Sequence, residues 1–179
     1  MNKQLLNYFG YGTNRTLDMM AAIIGRKEIE GIYGKLLGFE LCIQKIDDIP
    51  DKILQTAPFP SSPRKIISEC FNNDFELYII RPREKAITYG IIWKITQQEY
   101  ELVRDWELLE FGMQEDVKAV AIDAKGKIIN VITHGSLSSK MPMDRVVEGN
   151  DYEDYLVPKK DILEVAEKSR KEYLERISE

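Results

Sequence analysis

The sequence feature that most constrains the fold is a short glycine-containing loop between a strand and a helix near the amino terminus. Leu5 to Tyr11 has the apolar and aromatic composition of a buried strand. The loop Gly10-Tyr11-Gly12-Thr13-Asn14 follows, and the apolar density of Leu17 to Ile24 predicts a buried helix that ends at Gly25. The chain is therefore expected to begin with a strand, loop and helix unit.

Strand patterns fill the middle of the chain. Residues 28–44 are rich in β-branched, aromatic and glycine residues and predict one long bent strand or a pair of strands. Two pairs of strand patterns separated by turn-forming residues predict two β-hairpins: residues 75–80 with 86–95, and residues 117–123 with 127–133. The turn of the first hairpin is expected at residues 81–84, which include Pro82.

Helix signals follow the first hairpin and recur at the end of the chain. Thr96-Gln97-Gln98-Glu99 is a capping-box pattern, which predicts a helix of about three turns toward Leu109. Residues 159–177 combine many charged residues with apolar ones near helical spacing and predict a solvated terminal helix. The proline-rich residues 46–68 predict a long irregular excursion, and residues 135–151 are also expected to be irregular.

Composition and charge fit one globular domain. A chain of 179 residues, 44% apolar and 31% charged, can bury its own core. Because strands and helices mix without a repeat or linker, we expect a single α+β domain over residues 1–179. The net charge of -5 argues against nucleic acid as a partner. A signal-peptide pattern and a long apolar run are both missing from the sequence, so we expect a cytoplasmic protein without a membrane partner.

The sequence contains no metal-binding pattern. Cys42 and Cys70 lie far apart, and His134 is the only histidine, so these residues cannot supply a zinc cluster. Both cysteines are expected to be buried thiols.

The glycine loop is able to bind an anion. A turn of this kind presents several unpaired backbone N–H groups, and the following helix adds partial positive charge. The alternative is an ordinary tight turn in which Asn14 or Thr13 caps the helix. The glycine spacing of nucleotide-binding loops is absent, which disfavours a nucleotide ligand.

Tyr8-Phe9-Gly10-Tyr11-Gly12-Thr13-Asn14 resembles the Tyr-Phe-Ala-Tyr-Gly-Ser-Asn opening motif of gamma-glutamylcyclotransferases. Gly10 replaces alanine and Thr13 replaces serine, both conservative changes in size. The resemblance implies that this loop binds the α-amino and carboxylate end of a small-molecule gamma-glutamyl substrate and offers backbone donors to the reacting amide. It also implies an α+β fold with a curved mixed β-sheet or small β-barrel flanked by helices.

A second similarity concerns the order Gly90 to Ile95, then the capped helix, then Asp105-Trp106-Glu107 and Gly112-Met113. This order is similar to the second signature of the same family and implies that Glu107 is the catalytic glutamate. The similarity extends from the amino terminus to the hairpin that ends near Thr133.

The helical pattern alone leaves two glutamates open. At 100° per residue, Glu107 lies at the edge of an apolar face, where partial burial and the carboxyl end of the helix would raise its pKa. If the helix continues, Glu110 lies closer to the centre of that face. The pattern does not choose between them.

The resemblance implies a reaction that needs no metal or cofactor. The α-amine of a gamma-glutamyl compound attacks its own γ-carbonyl, which releases 5-oxoproline and a free amine or amino acid. Glu107 would serve as base and then as acid. A binding module without turnover and a glutamate-dependent amide hydrolase are the alternatives, and the oligomeric state stays open.

Two further substrate contacts are suggested more weakly. His134 stands near the strand end where the family usually has a tyrosine. It is expected to be a pocket wall, a hydrogen-bond donor to substrate or a simple strand-end residue. Tyr152 corresponds to a second tyrosine of the family, although Tyr155 fits almost as well.

Overall fold

The structure is a computed structural model, and it describes residues 5–48, 67, 76–147 and 162–178. The strands of these residues are β1 (Leu5–Gly10), β2 (Gly31–Lys45), β3 (Glu76–Thr96), β4 (Glu115–Asp123), β5 (Ile128–Gly135) and β6 (Arg145–Val146). The α-helices are α1 (Leu17–Ile24), α2 (Gln97–Trp106) and α3 (Ile162–Arg176). In the described ranges, no helix is both long and apolar enough to cross a membrane.

The strands form one curved, mixed sheet that closes on itself. Its order is β3-β1-β5-β4-β2-β6, and β3 also pairs with β2, so β1 to β5 form a ring. The β1–β5 pair is parallel at Tyr8 and Ile132, whereas the other pairs are antiparallel. The predicted α+β fold with a curved mixed sheet flanked by helices is therefore confirmed.

Successive residues of β1 face two different cores. Phe9 is completely buried in a cluster with side chains from β2, β3, β4 and β5, which is the interior of the ring. Tyr8 belongs to a second cluster, which contains Trp93 of β3, Tyr100 of α2 and Ala166 of α3. This period-two alternation packs the helices against the outside of the ring at the place where β1 ends.

The first predicted hairpin is wrong. Residues 76–96 form one strand whose two halves pair with β2 rather than with each other. Pro82 pairs with Phe39 and Ile87 pairs with Leu37, so four residues of β3 lie opposite Gly38, which has a φ of 79°. Arg83 and Glu84 of the predicted turn thus lie in a bulge, and Pro82, which has no N–H, is tolerated beside it.

The loop after β1 packs closely on β3. The Nε1–H of Trp93 donates to the backbone oxygen of Asn14 at 2.8 Å. A Cβ atom at Gly10 would lie 2.4 Å from this same oxygen, and one at Gly90 would lie 2.4 Å from the backbone oxygen of Gly10. The replacement of alanine by Gly10 is therefore not a neutral change in size, because this loop leaves no room for a methyl group.

Local signals predicted the bounds of α1 correctly, but not its cap. The helix ends at Gly25, which has a φ of 83°. At its start, the side chain of Thr16 accepts the N–H of Met19 at 3.4 Å. The alternative in which Thr13 or Asn14 caps the helix is wrong, because both residues belong to a preceding 3₁₀ turn, Gly12–Arg15.

The predicted capping box of α2 is confirmed at Thr96 and Glu99. The helix ends at Trp106, because Leu108 adopts a left-handed conformation with a φ of 53°. Its 10 residues make about three turns, as predicted, but the helix stops short of Leu109, and a 3₁₀ turn, Leu109–Phe111, follows.

Helix α3 is fixed to both other helices. The guanidinium of Arg170 donates to the carbonyls of Ala21 and Ala22 at the end of α1, and Arg176 forms an ion pair with Asp105 of α2. Ala166 is fully buried between them. The prediction of a purely solvated terminal helix is thus wrong for the side that packs on α1 and α2.

The remaining expectations concern the second hairpin, two connecting segments and the cysteines. The second hairpin is confirmed, because β4 and β5 pair antiparallel and Gly126 has a φ of 81°. Residues 135–151 are not wholly irregular, since β6 pairs with Cys42 and Ile43 of β2. Cys42 is buried, as expected. Most of the predicted excursion at 46–68, together with Cys70, lies outside the described residues.

Candidate active site

Glu107 occupies the turn that ends α2. Its backbone N–H still donates to the carbonyl of Val103 at 3.0 Å, and the chain then reverses at Leu108. The Glu107 carboxylate accepts two side-chain hydrogen bonds, one on each oxygen. The donors are Nδ2 of Asn14 at 2.6 Å from Oε1 and Nε2 of Gln114 at 2.7 Å from Oε2.

These contacts define the electrostatics of the Glu107 carboxylate. Burial raises the pKa of Glu107 to about 7, although the hydrogen bonds from Asn14 and Gln114 act to lower it. Neither amide carries a charge, and no cation forms an ion pair with Glu107 among the described residues. A carboxyl group of this kind exchanges its proton near neutral pH, as a general base requires.

Asn14 connects the glycine loop to this carboxylate. Its Nδ2 also donates to the hydroxyl of Tyr8 at 3.0 Å, while its backbone carbonyl accepts from Trp93. Asn14 is therefore held through both its backbone and its side chain, and it is only 2% exposed. Burial, and then the nearby charge of Glu107, raise the pKa of Tyr8, which keeps its phenol protonated.

Gln114 is a residue that sequence reasoning missed. It is buried at the start of β4, and the hydroxyl of Tyr11 lies 3.1 Å from its Oε1 and 2.9 Å from the carbonyl of His134. Tyr11 thereby helps to orient the amide so that Nε2 faces Glu107. No local pattern marks Gln114, because its role depends on contacts with a loop about one hundred residues earlier.

A cavity of about 140 Å³ opens beside these groups. Its polar wall contains most of the predicted site residues, namely Tyr8, Tyr11, Gly12, Thr13, Asn14, Glu107 and His134. Phe9 faces the interior of the ring and Gly10 supports the loop, so neither lines the cavity. Glu110 is exposed and also lies outside the cavity, which distinguishes it from Glu107. Tyr152 and its alternative Tyr155 lie outside the described residues.

His134 is a buried member of a polar chain. Its Nε2 lies 3.1 Å from the hydroxyl of Tyr100, which donates to Asp116 at 2.5 Å, and Arg104 forms an ion pair with Asp116. Because the Tyr100 proton faces the carboxylate, Nε2 of His134 is assigned as the protonated nitrogen. Burial lowers the pKa of His134 to about 3, so the ring is neutral at pH 7.

The other side chains that line the cavity are mostly apolar, and sequence reasoning did not predict this apolar wall. Its side chains come from β3, from the end of α2 and the following turn, and from α3: Leu77, Trp106, Leu108, Met113, Ile162 and Val165. Ile67, which is buried, also contributes. The carboxyl-terminal helix therefore completes a cavity whose polar wall begins in the first strand.

Comparisons with solved structures place this fold among known ones. A structure of a gamma-glutamyl cyclotransferase superposes with a TM-score of 0.55 and 14% sequence identity, over 98% of this chain and 87% of that chain. An uncharacterized protein from Homo sapiens gives the same TM-score and identity, over 98% of this chain and 88% of that chain. No protein-family model and no curated protein matches the sequence.

The ring of mixed strands with flanking helices is thus a gamma-glutamyl cyclotransferase-like fold. The fold predicted from the sequence resemblance is confirmed. A likeness at 14% identity shows the fold alone, so the activity must be argued from the cavity.

Proposed function

We propose that the protein cleaves a gamma-glutamyl amide by intramolecular attack of the substrate's own α-amine. The reaction releases 5-oxoproline and a free amine or amino acid. The single observation that carries this proposal is the Glu107 carboxylate, held by Asn14 of the glycine loop, with a pKa raised to about 7 at the wall of a small cavity.

Glu107 has the properties that this reaction needs. The substrate α-ammonium, with an ordinary pKa near 8, must lose a proton before its nitrogen can attack. A carboxylate with a pKa near 7 is a better match to this proton than an ordinary glutamate, because general-base catalysis improves as the two pKa values approach. The carboxylate is also fixed by Asn14 and Gln114 and needs little reorganisation.

The glycine loop would hold the remainder of the gamma-glutamyl group. Gly12 and Thr13 line the cavity at the start of a 3₁₀ turn, where the first backbone N–H groups have no partner within the turn. These N–H groups can donate hydrogen bonds to the substrate carboxylate or to the oxyanion that forms on the γ-carbonyl oxygen. The protonated phenol of Tyr8 lies beside them and adds a neutral donor.

The reaction is balanced without water or a cofactor. The α-ammonium gives its first proton to Glu107, the freed amine nitrogen forms a bond to the γ-carbon, and the second proton that this nitrogen then loses passes to solvent. The tetrahedral intermediate then collapses, the bond from the γ-carbon to the departing nitrogen breaks, and Glu107 returns the proton to that nitrogen. Acid–base help of this kind contributes about 10² to 10⁴ in rate.

The test is to incubate the protein with gamma-glutamyl amino acids and gamma-glutamyl amines and to detect 5-oxoproline by mass spectrometry. Glu107→Gln should lower turnover by at least about 10². The matched control is Glu110→Gln, which makes the same change at an exposed residue three positions away and should leave turnover unchanged. Thermal unfolding of both variants would exclude a loss of fold.

The product identifies the reaction if the proposal is wrong. Free glutamate in place of 5-oxoproline would mean that Glu107 activates water and that the protein is an amide hydrolase. A folded protein that forms no product from any substrate would instead be a binding module. Equal turnover by Glu107→Gln and the wild type would remove the glutamate from the mechanism.

A further inference from the structure

The cavity beside Glu107 has two chemically different walls. The polar groups surround Glu107 and the turn at Gly12, whereas the apolar wall consists of Leu77, Trp106, Leu108, Met113, Ile162 and Val165. A gamma-glutamyl amide has the same division. Its glutamyl part carries an ammonium and a carboxylate, and its other part is the amine that departs.

The charges at the cavity are few. Among the described residues that line it, none is a lysine or an arginine, and Glu107 is the only carboxylate. His134 is neutral at pH 7 because burial lowers its pKa to about 3. Ser169, a polar residue on the α3 side, directs its hydroxyl to Asp105 of α2 at 3.4 Å. Among the described residues, the apolar wall thus has no group that would neutralise a charged departing amine.

We infer that the departing amine of the substrate is uncharged apart from its reacting nitrogen, and apolar. This inference rests on the proposed function and specifies its substrate class. A departing amino acid would bring a second carboxylate into an apolar wall, and the cost of its lost hydration would have no ion pair to offset it. That carboxylate would also be repelled by Glu107.

A departing diamine is disfavoured for a similar reason, although its second charge is positive rather than negative. Its distal ammonium would need an acid in the apolar wall, and among the described residues that line the cavity the only acid, Glu107, is required at the reacting nitrogen.

The test compares three substrates whose departing amines have the same number of carbon atoms outside any carboxylate and differ in charge. They are the gamma-glutamyl amides of 3-methylbutylamine, which is neutral, of leucine, which adds a carboxylate to the same skeleton, and of 1,5-diaminopentane, which adds an ammonium. The expected kcat/KM is at least about tenfold higher for the 3-methylbutylamide than for either charged substrate.

A variant tests whether the apolar wall causes this preference. Val165→Lys adds a cation to the wall, and its kcat/KM ratio of the leucine amide to the 3-methylbutylamide should rise by about tenfold or more. Leu174→Lys is the matched control, because Leu174 lies on the same helix, is 44% exposed and does not line the cavity. The control ratio should equal the wild-type ratio.

Three results would overturn the inference, and they differ in what they say of the proposed function. Formation of 5-oxoproline from the leucine amide at an equal or higher rate would disprove the apolar preference and leave cyclisation intact. Failure to form 5-oxoproline from any of the three compounds by the folded wild type would disprove both. An unchanged substrate ratio in folded Val165→Lys would show that the wall does not set specificity.

Discussion

Glu99 and Glu107 lie at opposite ends of helix α2, and their surroundings give them opposite chemistry. Burial acts to raise the pKa of Glu99, but the Arg26 guanidinium and the Thr96 amide outweigh it and lower that pKa. Burial also raises the pKa of Glu107, and there only two neutral amides oppose it, so the pKa reaches about 7. The difference lies in the charge of the partners.

The two carboxylates accordingly have different consequences for the molecule. Glu99 completes a capping box and forms an ion pair that joins α2 to the segment after α1, so it fixes the helix. Glu107 lies at the carboxyl end of the helix, where the dipole disfavours a negative charge, and it lines a cavity. A glutamate that costs stability when ionised is a stronger candidate for chemistry than one that contributes stability.

Introducing a cation beside Glu107 should make it resemble Glu99. In Gln114→Lys the ammonium replaces a neutral donor, which should lower the pKa of Glu107 and hold its carboxylate in an ion pair. We expect turnover at pH 7 to fall by about 10², the lower end of an acid–base contribution. The rising limb of the pH profile of kcat/KM, expected near pH 7, should move to lower pH.

Gln114→Met is the matched variant for this experiment. It keeps the length of the side chain but removes the hydrogen bond that lowers the pKa of Glu107. The rising limb of the kcat/KM pH profile should therefore move to higher pH. Kinetic pH profiles of the two variants would therefore shift in opposite directions. A shift of both in the same direction would show that the limb does not report Glu107.

The raised pKa of Glu107 also predicts a pH dependence of stability. Between the ordinary value of 4.5 and about 7, the folded chain keeps a proton that the unfolded chain has lost, so stability falls as pH rises. At about 1.4 kcal/mol per pKa unit, the loss is about 3 kcal/mol. Glu107→Gln has no such proton. Its free energy of unfolding, relative to that of the wild type, should therefore rise by about 3 kcal/mol between pH 4 and pH 8.

Urea unfolding at several pH values measures this difference. The free energy of unfolding of Glu107→Gln minus that of the wild type should rise with pH, whereas the same difference for Glu110→Gln should stay nearly flat. A flat curve for Glu107→Gln would show that the carboxyl group of Glu107 ionises normally in the folded protein.

The fold was predictable where its signals are local. Three signals each depend on a few neighbouring residues: the capping box at Thr96, the stop at Gly25 and the turn at Gly126. The two helices and the hairpin that they delimit are present. The hairpin around Pro82 was wrong because its turn-like residues are arranged by β2, which lies forty residues earlier in the chain. A sequence pattern does not contain that long-range pairing.

The candidate site was predictable only in part, and for a similar reason. The helical pattern left Glu107 and Glu110 open because it does not reveal that α2 ends at Trp106. The resemblance selected Glu107, and the structure brings its carboxylate to Asn14; its catalytic role stays a prediction. Gln114 and the apolar wall from α3 have no local signal, since tertiary contacts alone bring them to the cavity.

Removing the cation at the other end of α2 should affect stability without affecting chemistry. Arg26→Met leaves the Glu99 carboxylate, which is 14% exposed, without its ion pair. Because Arg26 itself is 37% exposed and solvent screens the pair, we expect a loss of only about 1 to 2 kcal/mol in the free energy of unfolding. The kcat/KM for a gamma-glutamyl amide should stay within about twofold of the wild type. A large fall in kcat/KM would show that the two ends of the helix are coupled.

The smallest effect is expected from the helix caps themselves. Thr96→Ala removes the hydroxyl that accepts from Glu99 N–H at 3.2 Å and should cost about 1 kcal/mol in the free energy of unfolding. Thr16→Ala removes the longer contact of 3.4 Å to Met19 and should cost less, about 0.5 kcal/mol. Urea unfolding would measure both. A larger loss for Thr16→Ala would mean that Thr16 supports the loop that holds Asn14, and 5-oxoproline formation should then fall in that variant alone.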